Sequence, residues 1–273
     1  MAQSAEAYKQ FDEFVVSEVE QGLWHVQLNN PKTLNAFSEK TWRDYGEIFT
    51  KLDADPDVSV ILVSSTSPKA FSSGLNLKSA IATFGESVDM SNEDRYKHMH
   101  QHIRDFQHCI TTPARINTPT IALLNGVSYG LALDMAACYT IRVAVEGVKF
   151  SIREIKIGIS ADIGSLQRLP ALVNNKSALY QHALTGDIFG ADEAFRLGFV
   201  SRVVPDLESG VEYIKEVGLD IAGNQQWAIY GTKKSIQEIT DGLSVEQGLK
   251  NIAHHNATNI DKRFILAMMG VKL

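Results

Sequence analysis

Three short β-branched runs, Val58-Ser59-Val60-Ile61-Leu62-Val63, Thr120-Ile121-Ala122-Leu123-Leu124 and Thr140-Ile141-Arg142-Val143-Ala144-Val145, are separated by segments of helical character. Apolar runs of this length suit strands buried on both faces, the environment of a parallel sheet. Parallel neighbours need a crossover between them, normally a helix. One helix is expected from Ser38, a suitable N-cap, to Leu52, with Trp42, Tyr45, Ile48, Phe49 and Leu52 on its buried face. Another runs from about Gly130 to Cys138, and Phe14-Val15-Val16 with Trp24-His25-Val26-Gln27-Leu28 make a first strand pair. The pattern predicts an α/β body over residues 1–205, followed over 206–273 by three or four amphipathic helical stretches. Phe84 to Asp94, polar and acidic, is expected to be a mobile loop. No repeat of fixed period is visible.

Composition narrows the class. At 273 residues, 44% of them hydrophobic, the chain has ample material for a core, which excludes disorder. The net charge of −6 and the absence of a basic cluster argue against a nucleic-acid partner. No apolar run reaches the ~18 residues of a membrane span. The start, Met1 to Glu6, has neither an apolar core nor an arginine-rich face, so neither a secretory nor a transit peptide is expected. Cys109 and Cys138 lie outside any C-x-x-C motif and cannot make a disulfide scaffold, so a reducing compartment is expected.

Two glycine-containing turns follow buried strands: Phe71-Ser72-Ser73-Gly74-Leu75-Asn76, and Asn125-Gly126-Val127-Ser128-Tyr129-Gly130-Leu131, which leads into a helix. Such junctions expose unpaired backbone N–H groups, and two side by side would make an oxyanion hole. Asp134 sits in the following helix among apolar residues. It shares a face with Leu131, and its buried charge needs either a function or a partner such as Arg142 or Arg168. Glu154 and Asp162 follow. Glu154 fits a capping box begun by Ser151, although Gly158 leaves little room for a helix, and Asp162 fits an N-cap for a helix near Ile163. Three carboxylates converging on one pocket would raise one another's pKa values and separate acid from base.

Two other patterns compete. Gly126-Val127-Ser128-Tyr129-Gly130 matches the G-x-S-x-G elbow of serine hydrolases, with Asp162 or Asp187 and then His254 or His255 in suitable order. That reading leaves Asp134 and the Phe71–Asn76 turn without a role. His98, His100, His102 and His108 cluster, but without H-E-x-x-H they read as a solvated helix face and no metal is expected. There is no phosphate-binding or dinucleotide-binding glycine fingerprint.

The residues together resemble the crotonase (enoyl-CoA hydratase/isomerase) superfamily over nearly the whole chain. The resemblance is carried by Leu28-Asn29-Asn30-Pro31-Lys32-Thr33-Leu34-Asn35-Ala36, by Ala70 to Lys78, by Leu184-Thr185-Gly186, and by Ala191, Ala194 and Leu197-Gly198-Phe199-Val200. Hydratases of the family place glutamates where Asp134 and Glu154 stand. The aspartate at 134 and the third carboxylate in Ile159-Ser160-Ala161-Asp162-Ile163-Gly164-Ser165 are similar to the Δ3,5-Δ2,4-dienoyl-CoA isomerases.

The resemblance implies a spiral of ββα turns with a C-terminal helical trimerisation region, giving a homotrimer or homohexamer. It implies an acyl-CoA thioester substrate, no further cofactor, and an oxyanion hole from the N–H groups of Leu75 and Leu131, with Ser73, Gly74 and Gly130 beside the substrate. Asp162 would take the C2 proton, Glu154 would deliver one at C6, and Asp134 would lie between them. Where the family usually has Gly-Gly-Gly this chain has Gly130-Leu131-Ala132, which should tighten the approach of substrate. The alternatives are an enoyl-CoA hydratase, a Δ3-Δ2-enoyl-CoA isomerase, the hydrolase using Ser128, or a silent acyl-CoA-binding protein. Val271-Lys272-Leu273 matches the peroxisomal S-K-L signal in its last two positions, so a peroxisome is expected, with the mitochondrion as alternative.

Overall fold

The computed structural model describes residues 5–269; the ending Val271-Lys272-Leu273 lies outside them. The chain enters on an antiparallel hairpin, β1 (Phe14–Glu20) and β2 (Leu23–Leu28). Helix α1 (Glu39–Ala54) starts at Ser38, whose Oγ accepts from the Thr41 N–H while the Thr41 hydroxyl accepts from the Ser38 N–H. This reciprocal cap satisfies two donors that the first helical turn would otherwise leave open.

The body is then built from three strand–strand returns. β3 (Val60–Ser65) leads to β4 (Ala70–Ser72), and α2 (Leu77–Gly85), α3 (Asn92–Ile110) and α4 (Thr112–Arg115) carry the chain back. β5 (Thr120–Leu124) leads to β6 (Val127–Tyr129) and returns through α5 (Leu131–Ala136). β7 (Ile141–Val145) leads to β8 (Lys149–Ser151) and returns through α6 (Ser165–Leu172), α7 (Lys176–Thr185) and α8 (Ala191–Arg196) to β9 (Arg202–Val204). The first strand of each return joins a six-stranded sheet, ordered β1-β2-β3-β5-β7-β9. The second joins a three-stranded sheet, β4-β6-β8, and every pairing except β1 with β2 is parallel. This is the spiral of ββα turns that the resemblance implies.

Every residue of β3 and β5 is buried, as parallel strands covered on both faces should be. One face packs against α1 through Tyr45, Ile48, Phe49 and Leu52. The other is closed by α9 (Leu207–Ala222), the first helix of the C-terminal stretch, whose Ile214 packs with Leu23, Leu62 and Leu123. α9 therefore packs as part of the body. Beyond it, α10 (Gln226–Thr240) and α11 (Val245–Asn259) lie against each other, followed by α12 (Lys262–Met268). α10 is tied to the body by Lys233, which donates to the carbonyls of Pro113, Ile116 and Thr118. Among the described residues no helix is long and apolar enough to cross a membrane.

The stretch Phe84 to Asp94 is more ordered than its polarity indicates. α2 extends to Gly85, Ser91 caps α3, and Arg95 donates to the carbonyls of Ser87, Val88 and Met90 between them. Its polar residues serve as caps and as an arginine clamp, so the expected mobile loop is replaced by a pinned turn.

α1 and α3 cross at Gly46, where an added Cβ would stand 2.9 Å from the Cys109 Cβ and 3.0 Å from its Cα. Gly46→Ala must push the helices apart and is expected to cost about 1–3 kcal/mol, as overpacking typically does. A lowered midpoint of thermal unfolding, with α-helical content retained below it, checks this.

Candidate active site

The two turns singled out in the sequence meet. The first is held by the left-handed pair Leu34 and Asn35, both at φ 54°. Asn35 is buried; its Nδ2 donates to the Ser65 hydroxyl and to the carbonyls of Ala70 and Phe71, and its Oδ1 accepts from the Asn30 N–H. The Ser72 hydroxyl donates back to the Asn35 carbonyl. Ser73 donates its N–H to Leu34 O and its hydroxyl to Thr33 O, while Phe37 N donates to Gly74 O and Asn76 N to Phe37 O. These bonds leave the Leu75 N–H without a protein acceptor among the described residues. The Leu131 N–H opens α5 and is likewise unclaimed.

Gly74 makes the juxtaposition possible. At φ +99°, its missing Cβ would fall 2.8 Å from the Tyr129 carbonyl and 3.6 Å from the Leu131 nitrogen. Gly130, at φ +54°, is as crowded: a Cβ there would meet Glu154 Oε1 at 2.8 Å. Leu131 and Ala132 adopt helical conformation and bury their side chains in the core, 3% and 1% exposed. Replacement of the family's glycines therefore leaves the backbone donor open to the cavity.

Leu75, Leu131, Ser73, Gly74, Gly130, Asp134, Glu154 and Asp162 all line one cavity of about 910 Å³. Its apolar wall includes Trp42, Ile103 and Phe106, with Trp42 and Phe106 stacked at 5.0 Å. Lys78, Arg153 and Lys156 supply cations to the same lining.

Asp134 is fully buried on α5. It makes no ion pair with Arg142 or Arg168; its Oδ1 accepts the Ser165 N–H at 2.6 Å and so caps α6. Arg142 is used elsewhere, donating to the carbonyls of Tyr139 and Phe199. Asp162 consequently is not the cap of α6, whose N-cap position is Gly164. Nor does Ser151 form a capping box with Glu154: its hydroxyl donates to Gly186 O, and Glu154 starts a single 3-10 turn ended by Gly158 in left-handed conformation.

The carboxyls are strongly perturbed. Burial pushes Glu154 up to about 7, helped by the charges of Asp134 and Asp162, and its Oε2 is buried without a partner among the described residues. Burial pushes Asp134 up to about 6 against the lowering effect of its bonds from Ser165. Asp162, half-buried, is also raised by burial, with His102 opposing. At neutral pH, Glu154 therefore keeps its proton in a sizeable share of the molecules, where an ordinary glutamate would be almost fully ionised.

The raised value of Asp134 makes a stability prediction. The unfolded chain ionises this group near 3.8 and the folded one near 6, so the folded state binds more protons between those values and loses stability as pH rises through them. Asp134→Asn keeps an acceptor for Ser165 and removes the penalty. The variant is expected to gain up to about 3 kcal/mol over wild type at pH 8 and nothing at pH 4, at ~1.36 kcal/mol per pKa unit. Denaturant melts at both pH values check the sign.

The competing patterns come apart. Ser128 is buried on β6, its hydroxyl directed at the Asn125 carbonyl, while His255 on α11 is engaged with Trp227 O and Asp187 pairs with His182 at 2.7 Å. Among the described residues Ser128 has no histidine partner. The histidines of α3 divide: His100 and His108 face solvent, as expected, but His98 is half-buried, its Nε2 without a partner among the described residues, and His102 turns inward, edge-on to Trp42, and lines the cavity. Sequence reasoning gave no role to Asn35, which stands within the quoted N-terminal segment, or to Gln107, whose Nε2 donates to the Asp162 carbonyl at 2.6 Å. A buried-type asparagine amid turn residues was a signal for the first; nothing local signalled the second.

Comparison with known proteins gives a consistent picture. The family model described as enoyl-CoA hydratase/isomerase matches residues 18–263. The chain is 34% identical over 256 residues to the peroxisomal Δ3,5-Δ2,4-dienoyl-CoA isomerase of Arabidopsis thaliana, covering 92% of this chain and 90% of that one. It is 28% identical to the mitochondrial enzyme of that name from Rattus norvegicus, covering 94% and 78%. Among solved structures, an enoyl-CoA hydratase from Bacillus anthracis has the same fold, with a TM-score of 0.79 at 23% identity, covering 94% of this chain and 95% of that one.

Proposed function

The chain belongs to the enoyl-CoA hydratase/isomerase family, and we propose that within it this protein is a Δ3,5-Δ2,4-dienoyl-CoA isomerase. The observation that carries the reading is the third carboxylate: Asp162 lines the same cavity as Asp134 and Glu154. Moving a double-bond system from C3 and C5 to C2 and C4 requires one group to take a proton from C2 and another to supply one at C6. In this reading the thioester oxygen lies between the N–H groups of Leu75 and Leu131, which stabilise the enolate as it forms. Asp162, ionised, removes the C2 proton. Charge spreads along the conjugated chain, and Glu154, protonated near neutrality, delivers a proton to C6.

Asp134 stands between them as a positioning group, anchoring α6 through Ser165. The Trp42 and Phe106 wall accepts the acyl chain, and Lys78, Arg153 and Lys156 suit the phosphates of coenzyme A. CoA is carried by the substrate, and the mechanism uses no other cofactor. Remote binding energy of this handle serves to orient the reacting carbons.

The proposal extends to assembly and place. Ile236, Ile239, Val245 and Leu249 are exposed on α10 and α11 and suit burial in a homotrimer or a dimer of trimers. The plant relative is named peroxisomal and the rat relative mitochondrial, and we assign this chain to the peroxisome, with the mitochondrion as alternative. The test of activity is incubation with a 3,5-dienoyl-CoA while following the ultraviolet absorbance of the conjugated 2,4-diene thioester. Growth of that absorbance supports the isomerase. Its absence, with hydration of a 2-enoyl-CoA instead, assigns the protein to the hydratases.

A further inference from the structure

The stripe of α3 that faces the substrate cavity is Met99, His102, Ile103 and Phe106, spaced as one face of a helix. Three of the four are apolar and suit an acyl chain. His102 is the exception, and the proposed chemistry gives it no role. Its side chain is 17% exposed, its ring stands edge-on to Trp42 at 5.9 Å, and its Nδ1 lies 4.0 Å from Glu39 Oε2. α3 also packs directly on the loop that carries Asp162, because Gln107, next to Phe106, donates to the Asp162 carbonyl at 2.6 Å. The backbone of Asp162 is thus fixed to the helix that presents His102, and both residues line the same cavity.

Asp162 needs a counter-charge to act as a base. Burial disfavours its carboxylate, and Asp134 and Glu154 stand in the same lining, so ionising three carboxyls together is costly. The charge of His102 opposes that cost. On α1, Glu39 beside His102 also holds Arg43 at 2.8 Å, and Arg43 reaches Asp105 of α3 at 3.7 Å. Lys78, Arg153 and Lys156 complete the charged lining of the cavity, and His98 lies one turn before His102 on α3. Histidine has the chemistry this position calls for. It is charged on the acid side of neutrality, where a carboxylate is in danger of protonation. Above neutrality it is neutral, where a permanent cation would only weaken the base.

We propose that His102 is a positioning residue for Asp162: its ring, favoured in the charged form by Glu39, holds the Asp162 carboxylate ionised as the base at C2. His102 exchanges no proton with the substrate and acts only through Asp162. α3 therefore serves the site twice, with Gln107 fixing the backbone of the base and His102 its charge. Without the imidazolium, Asp162 takes up its proton at higher pH, and the base is lost sooner as the pH falls.

The inference rests on the isomerase reading, which wild-type turnover of a 3,5-dienoyl-CoA tests separately. His102→Gln removes the charge and keeps a polar side chain. The acid limb of its kcat/KM profile is expected to move up by about one pH unit, the lower end of what one opposite charge nearby is worth. His102→Lys restores a cation and is expected to return the limb to its wild-type position. A second readout needs no turnover: a carbon-13 NMR titration of enzyme labelled at the aspartate carboxyls, with the Asp162 resonance identified by its loss in Asp162→Asn. That resonance is expected to titrate about one pH unit higher in His102→Gln than in wild type. An Asp162 resonance that titrates unchanged overturns the proposal. So does a His102→Gln enzyme whose rate falls equally at every pH, the mark of a merely structural role, and so does a His102→Lys limb that stays with that of His102→Gln.

Discussion

Glu154→Gln is expected to lower the rate of dienoyl isomerisation by roughly 10²–10⁴-fold, the usual worth of a positioned acid or base. The amide keeps the volume of the acid in a largely buried site, so KM should change little while kcat collapses, and the thermal midpoint at neutral pH should rise because the amide removes a charge that burial penalises. The pH profile sharpens the test. In the proposed mechanism Glu154 reacts protonated and Asp162 ionised, so activity should fall on the alkaline side near the value of about 7 to which burial raises Glu154. On the acid side it should fall as Asp162 takes a proton, above the ordinary aspartate range because burial raises that group too. The residual activity of Glu154→Gln should lose the alkaline limb and keep the acid one, and Asp162→Asn should do the reverse. Full rate in both variants would remove the carboxylates from the chemistry.

Gly74→Ala is expected to be nearly as damaging without touching an acid or a base. Gly74 holds φ +99°, a region that L side chains rarely adopt, and its Cβ would fall 2.8 Å from the Tyr129 carbonyl. That contact is with backbone, so relief must come from separating the two turns that present the Leu75 and Leu131 N–H groups. Losing one donor of such a pair typically costs ~2.7–4 kcal/mol of transition-state stabilisation, a fall in kcat of about 10²–10³-fold. A variant with wild-type kcat would show that the two turns do not act together on the thioester oxygen.

Much of this architecture was legible before the coordinates. The runs at Val60–Val63, Thr120–Leu124 and Ile141–Val145 became neighbouring parallel strands because strands buried on both faces leave an unmistakable apolar signature. The cap at Ser38 was readable because capping is a contact between residues three apart. The spiral repeat was not visible as a period, because its returns differ so much in length. The first passes through α2, α3 and α4, the second through α5 alone. Phe84–Asp94 misled because polarity reports exposure and not order, and Arg95 supplies the order.

The sequence by itself singled out residues that the structure gathers around one cavity. A buried carboxylate inside an apolar helix, two glycine turns after buried strands, and Glu154 and Asp162 downstream are local facts of composition and spacing. Only the tertiary structure decided what each does there. Asp134 caps α6 instead of pairing with Arg142 or Arg168, Asp162 is released from capping to line the cavity that Glu154 also lines, and Gly74 is crowded by Tyr129 from another turn of the spiral. The physical reason is the same in each case. A carboxyl's charge state and a backbone donor's direction depend on groups brought within a few ångströms by strand pairing between distant segments, and nothing in the neighbouring sequence encodes which groups those will be.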